Sequence, residues 1–172
     1  PNQILRIAKV LSSEEKLAEK VKSSEREIQE LEQKYSFTFK VISNEAPTLP
    51  LQSLTYVKWN KATEIEDLAS IQIGVMPLVQ DIWSEGKCGF KALQYMALEI
   101  PTLLSPVGVN TKIVSDGENG FVVETPEEWK RRLEALITDK ELRIKLGKKG
   151  KETIDKHYSV NANKAVFLNL FA

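Results

Sequence analysis

Cys88 is the only cysteine and His157 the only histidine in this chain of 172 residues. An internal disulfide is therefore excluded, and so is a Cys/His zinc cluster. A reducing, cytoplasmic setting is the default for such a chain. Net charge is also missing, because Lys+Arg and Asp+Glu both number 24 and the formal net charge is +0. Bulk electrostatics gives no reason to expect nucleic acid as a partner, nor attraction to a membrane by global charge. No apolar run approaches the ~20 residues of a membrane-spanning helix, and no signal peptide is visible. Glycine is absent before Gly74. The chain opens at Pro1 without a methionine, from which we expect an excised fragment of a longer protein.

What is present is ordinary for a water-soluble globular chain: 42% hydrophobic and 28% charged residues, enough for one domain with a sizeable core. Residues 4–11 are apolar with interleaved basic residues, and Ser12 to Glu15 then match a capping box. Leu17, Val21, Ser24, Ile28, Leu31 and Tyr35 follow at alternating spacings of four and three, amid Lys, Glu, Gln and Ser. The pattern predicts one long amphipathic helix with a narrow apolar seam. One reading lays this helix across a sheet. A second has the seam also pair with a protein partner, in a dimer through the N-terminal helix.

From Phe37 onward strands and helices alternate. Phe37–Ser43 has period-two alternation, Leu54–Trp59 is a second short strand, and Ile71–Met76 is nearly all apolar, as a strand buried on both faces should be. Thr63–Ser70, acidic early, reads as a short helix. Thr102–Ser105 and Phe121–Glu124 add two strands, separated by a short helix or turn at Val109–Ser115 and the turn signal Asp116–Gly120. Thr125 caps a helix with Pro126 at its first position, and the rest is helical, with an interruption expected at Gly147 or Gly150. The fold class is α/β: a Rossmann-like open parallel sheet of about five strands with helices on both faces and a helical C-terminal tail. Within one domain, residues 1–36 read as the N-terminal helix packing on the sheet, 37–125 as the Rossmann-like core and 126–172 as the C-terminal helices.

The chain is organised around Asp81–Pro106. A strand candidate leads into a polar loop with Gly86, Lys87 and Gly89, then an amphipathic helix, then a second strand after Pro101. Such a loop sits at the carboxyl end of a parallel sheet, where ligands bind. A helix start offers unpaired N–H groups, glycine permits close approach of a ligand, and Lys87 and Lys91 add point charges suited to phosphate. The segment is neither a Walker A loop nor a G-x-G-x-x-G fingerprint, and a solvated loop with ordinary lysines is the plain alternative.

The run GVMPL, then WSEGKCGFKALQYMALEIPTLLSPVGVN, then GENGF resembles the nucleotide-sugar-binding half of GT-B glycosyltransferases, and is most similar to the family-four-like, retaining group. Met96, Ala97 and Pro101 fall at that family's M-A and P positions, Gly89 at the loop glycine, Pro106–Asn110 at the loop after the strand, and Gly117 and Gly120 at the final turn. The resemblance covers residues 37–121 well and the tail more loosely. It implies one half of a GT-B fold that binds a nucleotide-diphosphate sugar as donor substrate, with no metal or other cofactor. The acceptor would be held by an N-terminal domain absent from this chain. The full enzyme would be cytoplasmic, with peripheral membrane association as a further option.

The candidate donor-binding residues are Trp59, Gly86, Lys87, Cys88, Gly89, Phe90, Lys91, Gln94, Gly108 and Asn110, with Trp59, at a strand's end, either beside a nucleobase or packed in the core. The family also carries a pair of glutamates here. Gln94 stands at the second of these, which contacts the ribose, and Gly86 at the first, with Glu85 one residue early. Catalytic residues are thus unassigned, with Glu85 the one weak candidate. Family domains begin with a strand and a Gly-rich loop, which we expect to be missing or altered here. A non-catalytic GT-B-like module using its N-terminal helix for a protein partner is the alternative function. Asp81 and Glu85 as paired acid and base, a reactive rather than buried Cys88, and His157 as a base are lesser readings. Trp83 could lie over a sugar, and Trp129 reads as core.

Overall fold

The computed structural model describes residues 5–10 and 25–171. In chain order these form β1 (Leu5–Val10), α1 (Glu25–Lys34), β2 (Phe37–Ser43), β3 (Leu54–Lys58), α2 (Glu64–Ala69), β4 (Ile73–Met76), α3 (Ile82–Glu85) and α4 (Phe90–Ala97). There follow β5 (Thr102–Leu104), α5 (Asn110–Ile113), β6 (Phe121–Val122), α6 (Pro126–Thr138) and α7 (Lys140–Thr153). A π-helical turn (Ile154–Tyr158), α8 (Val160–Leu168) and a final 3-10 turn (Asn169–Phe171) complete the tail.

The strands form one six-stranded parallel sheet in the order β3-β2-β1-β4-β5-β6. The sheet is wound outwards in two directions from β1, so the strand order reverses between β1 and β4. This is the topological switch point of a doubly wound fold. Two sequence expectations are corrected here. Residues 1–36 are not all helix, because Leu5–Val10 is a strand, and the sheet has six strands rather than about five. The first strand of the family pattern is therefore present, at the centre of the sheet. The Ser12–Glu15 capping box and the seam residues Leu17, Val21 and Ser24 lie outside the described residues.

Side-chain alternation along the strands divides the core in two. Phe37, Phe39, Val41, Ile73, Val75, Leu103 and Phe121 share one face with Ile28 and Leu31 of α1 and with Trp129, Leu133 and Leu136 of α6. Ile42 faces the other side with Leu68 of α2 and Tyr95 of α4. Met76 and Leu104 lie on that side too, with Ala92 and Met96 of α4 and Ile113 of α5. Helices thus cover both faces, as expected. The described half of the α1 seam is spent inside the chain: Ile28 and Leu31 are buried, and Tyr35 Oη donates to Glu134 Oε1 at 2.9 Å. Thr125 caps α6 in a full capping box with Glu128. In α8, by contrast, no residue is buried.

Gly147 and Gly150 do not interrupt α7. Their absent side chains serve packing instead. A Cβ on Gly147 would overlap the carbonyl oxygen of Glu99, itself held at φ 57. In a free helix Gly→Ala gains about 1 kcal/mol. Here overpacking against backbone costs about 1–3 kcal/mol and reverses the sign. Gly147→Ala should therefore lower the thermal midpoint by about 2–10 °C. A raised midpoint in a thermal melt would show that α7 does not press on the Glu99 turn.

Candidate functional site

The carboxyl ends of β3, β4 and β5 deliver three connections to one edge of the sheet, beside the switch point. In open α/β sheets this edge is where ligands bind. From β3 come Trp59 and, at the first position of α2, Glu64. From β4 come residues 77–89 and α4; from β5 come residues 105–109 and α5.

Two glycines bring the second and third connections together. Gly89 precedes α4 in the left-handed conformation, φ 66, and a Cβ there would overlap Ile113 Cδ1. Gly108, φ 58, leaves room for the Glu85 carbonyl oxygen, which a Cβ would meet at 2.7 Å. Any larger residue at either place meets both strained backbone and a neighbour. Gly86 differs. Its φ of −74 is ordinary, and a Cβ would make only van der Waals contact, at 3.6 Å from the nearest atom.

Lys91 lies in the first turn of α4 and Gln94 three residues on, on the same flank. Lys91 Nζ stands 2.5 Å from Glu64 Oε1, with the two side chains only 23% and 18% exposed. Gln94 Nε2 donates to the same oxygen at 3.4 Å. Lys91, by hydrogen bond and charge, holds the Glu64 carboxyl below its ordinary 4.5 against the opposing effect of burial, with smaller pulls from the Trp59 indole and the Gln94 amide. Gln94 Oε1 is buried without a partner. A buried acceptor left so costs about 1–3 kcal/mol. Burial also holds the half-buried Lys87 ammonium below its usual value.

The structure therefore gathers Trp59, Lys91 and Gln94 around Glu64. Sequence reasoning treated Glu64 only as one of the acidic residues opening a helix. Glu64 and Lys91 are 27 positions apart on different elements, so no spacing rule links them. The one available clue was its place just past the carboxyl end of β3.

Other expected residues fall differently. Asp81 caps α3, accepting from Ser84 N at 2.6 Å, so the polar loop read there contains a helical turn. Glu85 is exposed and accepts from Gln80 Nε2 at 2.5 Å. An Asp81–Glu85 acid–base pair thus has its first member occupied by capping. Cys88 is exposed rather than buried. Phe90 is exposed at the rim, with Lys91 Nζ 5.9 Å from its ring centre. The Asn110 side chain is buried and donates to the Ser105 carbonyl at 2.9 Å, so it braces the loop after β5. Trp59 and Trp83 are exposed, Trp129 is buried, and His157 lies on the surface. Among the described residues no cluster of three or more His, Cys, Asp or Glu could hold a metal.

The doubly wound parallel sheet matches that of the C-terminal domain of a GT-B glycosyltransferase. The family model for glycosyl transferases group 1 matches residues 38–153, about two thirds of the chain, and the chain belongs to that family. It is 33% identical over 102 residues to the uncharacterized glycosyltransferase MJ1178 of Methanocaldococcus jannaschii, an alignment covering 58% of this chain and 29% of that protein. The chain thus spans under a third of that relative's length. Among solved structures it is similar to the C-terminal domain of the group 1 glycosyl transferase LpcC from Francisella tularensis. There the TM-score is 0.71 and the identity 21%, over 91% of this chain and 87% of that one. It is also similar to HepE of Anabaena, solved with UDP-glucose, with TM-score 0.68 and identity 10%, over 97% of this chain and 48% of that one. At these identities the structural likeness shows the fold alone.

The Glu64–Lys91 pair has a pH signature. A lowered carboxyl pKa stabilises the folded state above the ordinary 4.5, and that contribution is lost as pH falls through the lowered folded value. An NMR titration of the Glu64 side-chain carboxyl should show a midpoint below 4.5 that rises in Lys91→Met. A midpoint unmoved by Lys91→Met would deny the pairing.

Proposed function

We propose that this chain is the nucleotide-diphosphate-sugar-binding domain of a retaining, family-four-like glycosyltransferase. Its residues form one domain, and the acceptor is held by a further domain of a longer protein. The observation that carries this reading is that Lys87, in the loop before α4, and Lys91, in its first turn, flank the start of that helix on the ligand edge beside the switch point, with Gln94 one turn further along. The half-length coverage of HepE, and the UDP-glucose bound to that protein, support it.

In this reading the diphosphate lies over the loop between β4 and α4. The backbone amides near Gly89 and Gly108 face sugar or phosphate, and the N-terminal end of α4 adds partial positive charge. Lys87 and Lys91 neutralise the negative charge that grows on the diphosphate as the sugar leaves, the electrostatic work that dominates such transfers. Partial burial disfavours the Lys87 ammonium on its own, and a bound anion would favour its charged form. Gln94 contacts the ribose, and Trp59 offers an exposed aromatic face to the base. The charge neutralisation assigned to the lysines needs no metal or other cofactor. Among the described residues no helix is long and apolar enough to cross a membrane.

Isothermal titration of the chain with UDP-glucose, UDP-N-acetylglucosamine and GDP-mannose tests the proposal. We expect saturable binding of at least one, weakened about tenfold or more, some 1.4 kcal/mol, in Lys87→Ala. Turnover by the chain alone should be negligible. Absence of binding to the whole panel, or binding indifferent to Lys87, would overturn it.

A further inference from the structure

A second cavity, of about 540 Å³, lies between the turn that leads into β6 and the end of α7. None of the candidate donor-binding residues lines it. One wall is α5 and the turn after it, with Lys112, Ser115 and Glu118. The other is the last turn of α7 and the π-helical turn, with Glu152, Lys156 and Tyr158. Short π segments of this kind recur at functional sites. We propose that this cavity binds a saccharide carrying one acidic group, such as the uronic acid unit of a glycan. The proposal does not depend on the nucleotide reading above.

The cavity is held open by one buried side chain. Asn119 Nδ2 donates to the Ile113 carbonyl at 3.2 Å and to Thr153 Oγ1 at 3.0 Å, while its Oδ1 accepts from Ser115 N at 2.8 Å. The two walls are thereby tied to one floor, and a preformed site lowers the ordering cost of binding. The charges on the walls are mixed. Lys149 stands 2.7 Å from Glu152 and is spent on it. Lys112 and Lys156, one on each wall, have no ion-pair partner among the described residues. A simple anion can use only the donors here, and Glu118 and Glu152 repel it. A neutral sugar uses the carboxylates and leaves both ammonium groups without a counter-charge. An acidic sugar uses both kinds of group. Its carboxylate takes Lys112 and Lys156 in charge-assisted hydrogen bonds, and its hydroxyl groups donate to Glu118 and Glu152. The exposed Tyr158 ring, set edge-on to His157 with ring centres 6.4 Å apart, offers an apolar face to the C–H side of the sugar ring.

The test is an NMR titration of the isotope-labelled chain with three probes: methyl β-glucuronoside, methyl β-glucoside and inorganic phosphate. The glucuronoside should give saturable shifts on residues 112–119 and 152–158, with an affinity at least about fivefold above those of the other two. Lys112→Ala and Lys156→Ala, both at exposed positions, should each weaken it about fivefold and leave the rest of the amide spectrum in place. Glucoside binding as tight as glucuronoside binding would show that the lysines do nothing, and overturns the proposal. Phosphate binding as tight as the glucuronoside overturns it as well, because the cavity is then a plain anion site. So do binding that neither lysine variant weakens, shifts confined to residues 87–91, and the absence of any shift with the glucuronoside.

Discussion

Everything at the ligand edge depends on how closely α4 lies against β4. Gly74, in the middle of β4, presents bare backbone to the Tyr95 ring, and a Cβ there would stand 2.5 Å from two ring carbons. Tyr95, Ala92 and Met96 are wholly buried, which fixes the rotation of α4 about its axis. Interiors packed to this density do not allow the helix to turn or shift freely. Lys91 and Gln94 are consequently carried on the flank that faces α2. The far end of the helix is clamped as well, where α7 presses Gly147 against the Glu99 turn. The start of α4 is seated by Gly89 against α5. A site built on such a clamped helix has little freedom to adjust its geometry.

The electrostatics of the edge follow from that seating. It is not a bare cationic patch. Lys91 is committed to Glu64 at 2.5 Å, and Lys87 is partly desolvated. An anionic ligand must compete with Glu64 for Lys91, which weakens attraction but holds the ammonium in one place. Placement of this kind lowers the ordering cost that a long, flexible lysine would otherwise bring to binding.

Much of this fold was legible in the residues. The strands from Phe37 onward announce themselves by alternation or by short apolar runs between turn residues, and Thr125-Pro126 announces α6. β1 was not legible, because Arg6 and Lys9 break its apolar run and a capping pattern follows it directly. The backbone shows why Arg6 is tolerated: it sits at the amino end of the strand, where Gln72 Oε1 accepts from its N–H at 2.7 Å and its guanidinium reaches Ser70 O at 3.4 Å. For the candidate site, Gly86, Gly89, Lys87 and Lys91 stood out by local pattern, whereas Gln94 was singled out only through the family resemblance. Glu64 was not, because its partnership with Lys91 exists only once β3 and β4 stand in one sheet with β2 and β1 between them. Asn110, expected among the donor-binding residues, has its buried side chain donating to the Ser105 carbonyl, a contact that local pattern does not announce.

In the proposed reading a nucleoside diphosphate occupies the crevice beside the β1–β4 switch point, over the start of α4. Backbone and indole amide shifts of the isotope-labelled chain, followed by NMR as UDP and GDP are added, address it most directly. The largest changes are expected on the Trp59 indole, on residues 87–91 and on residues 108–110. Changes confined to α7 and α8, or none with either nucleotide, would contradict it.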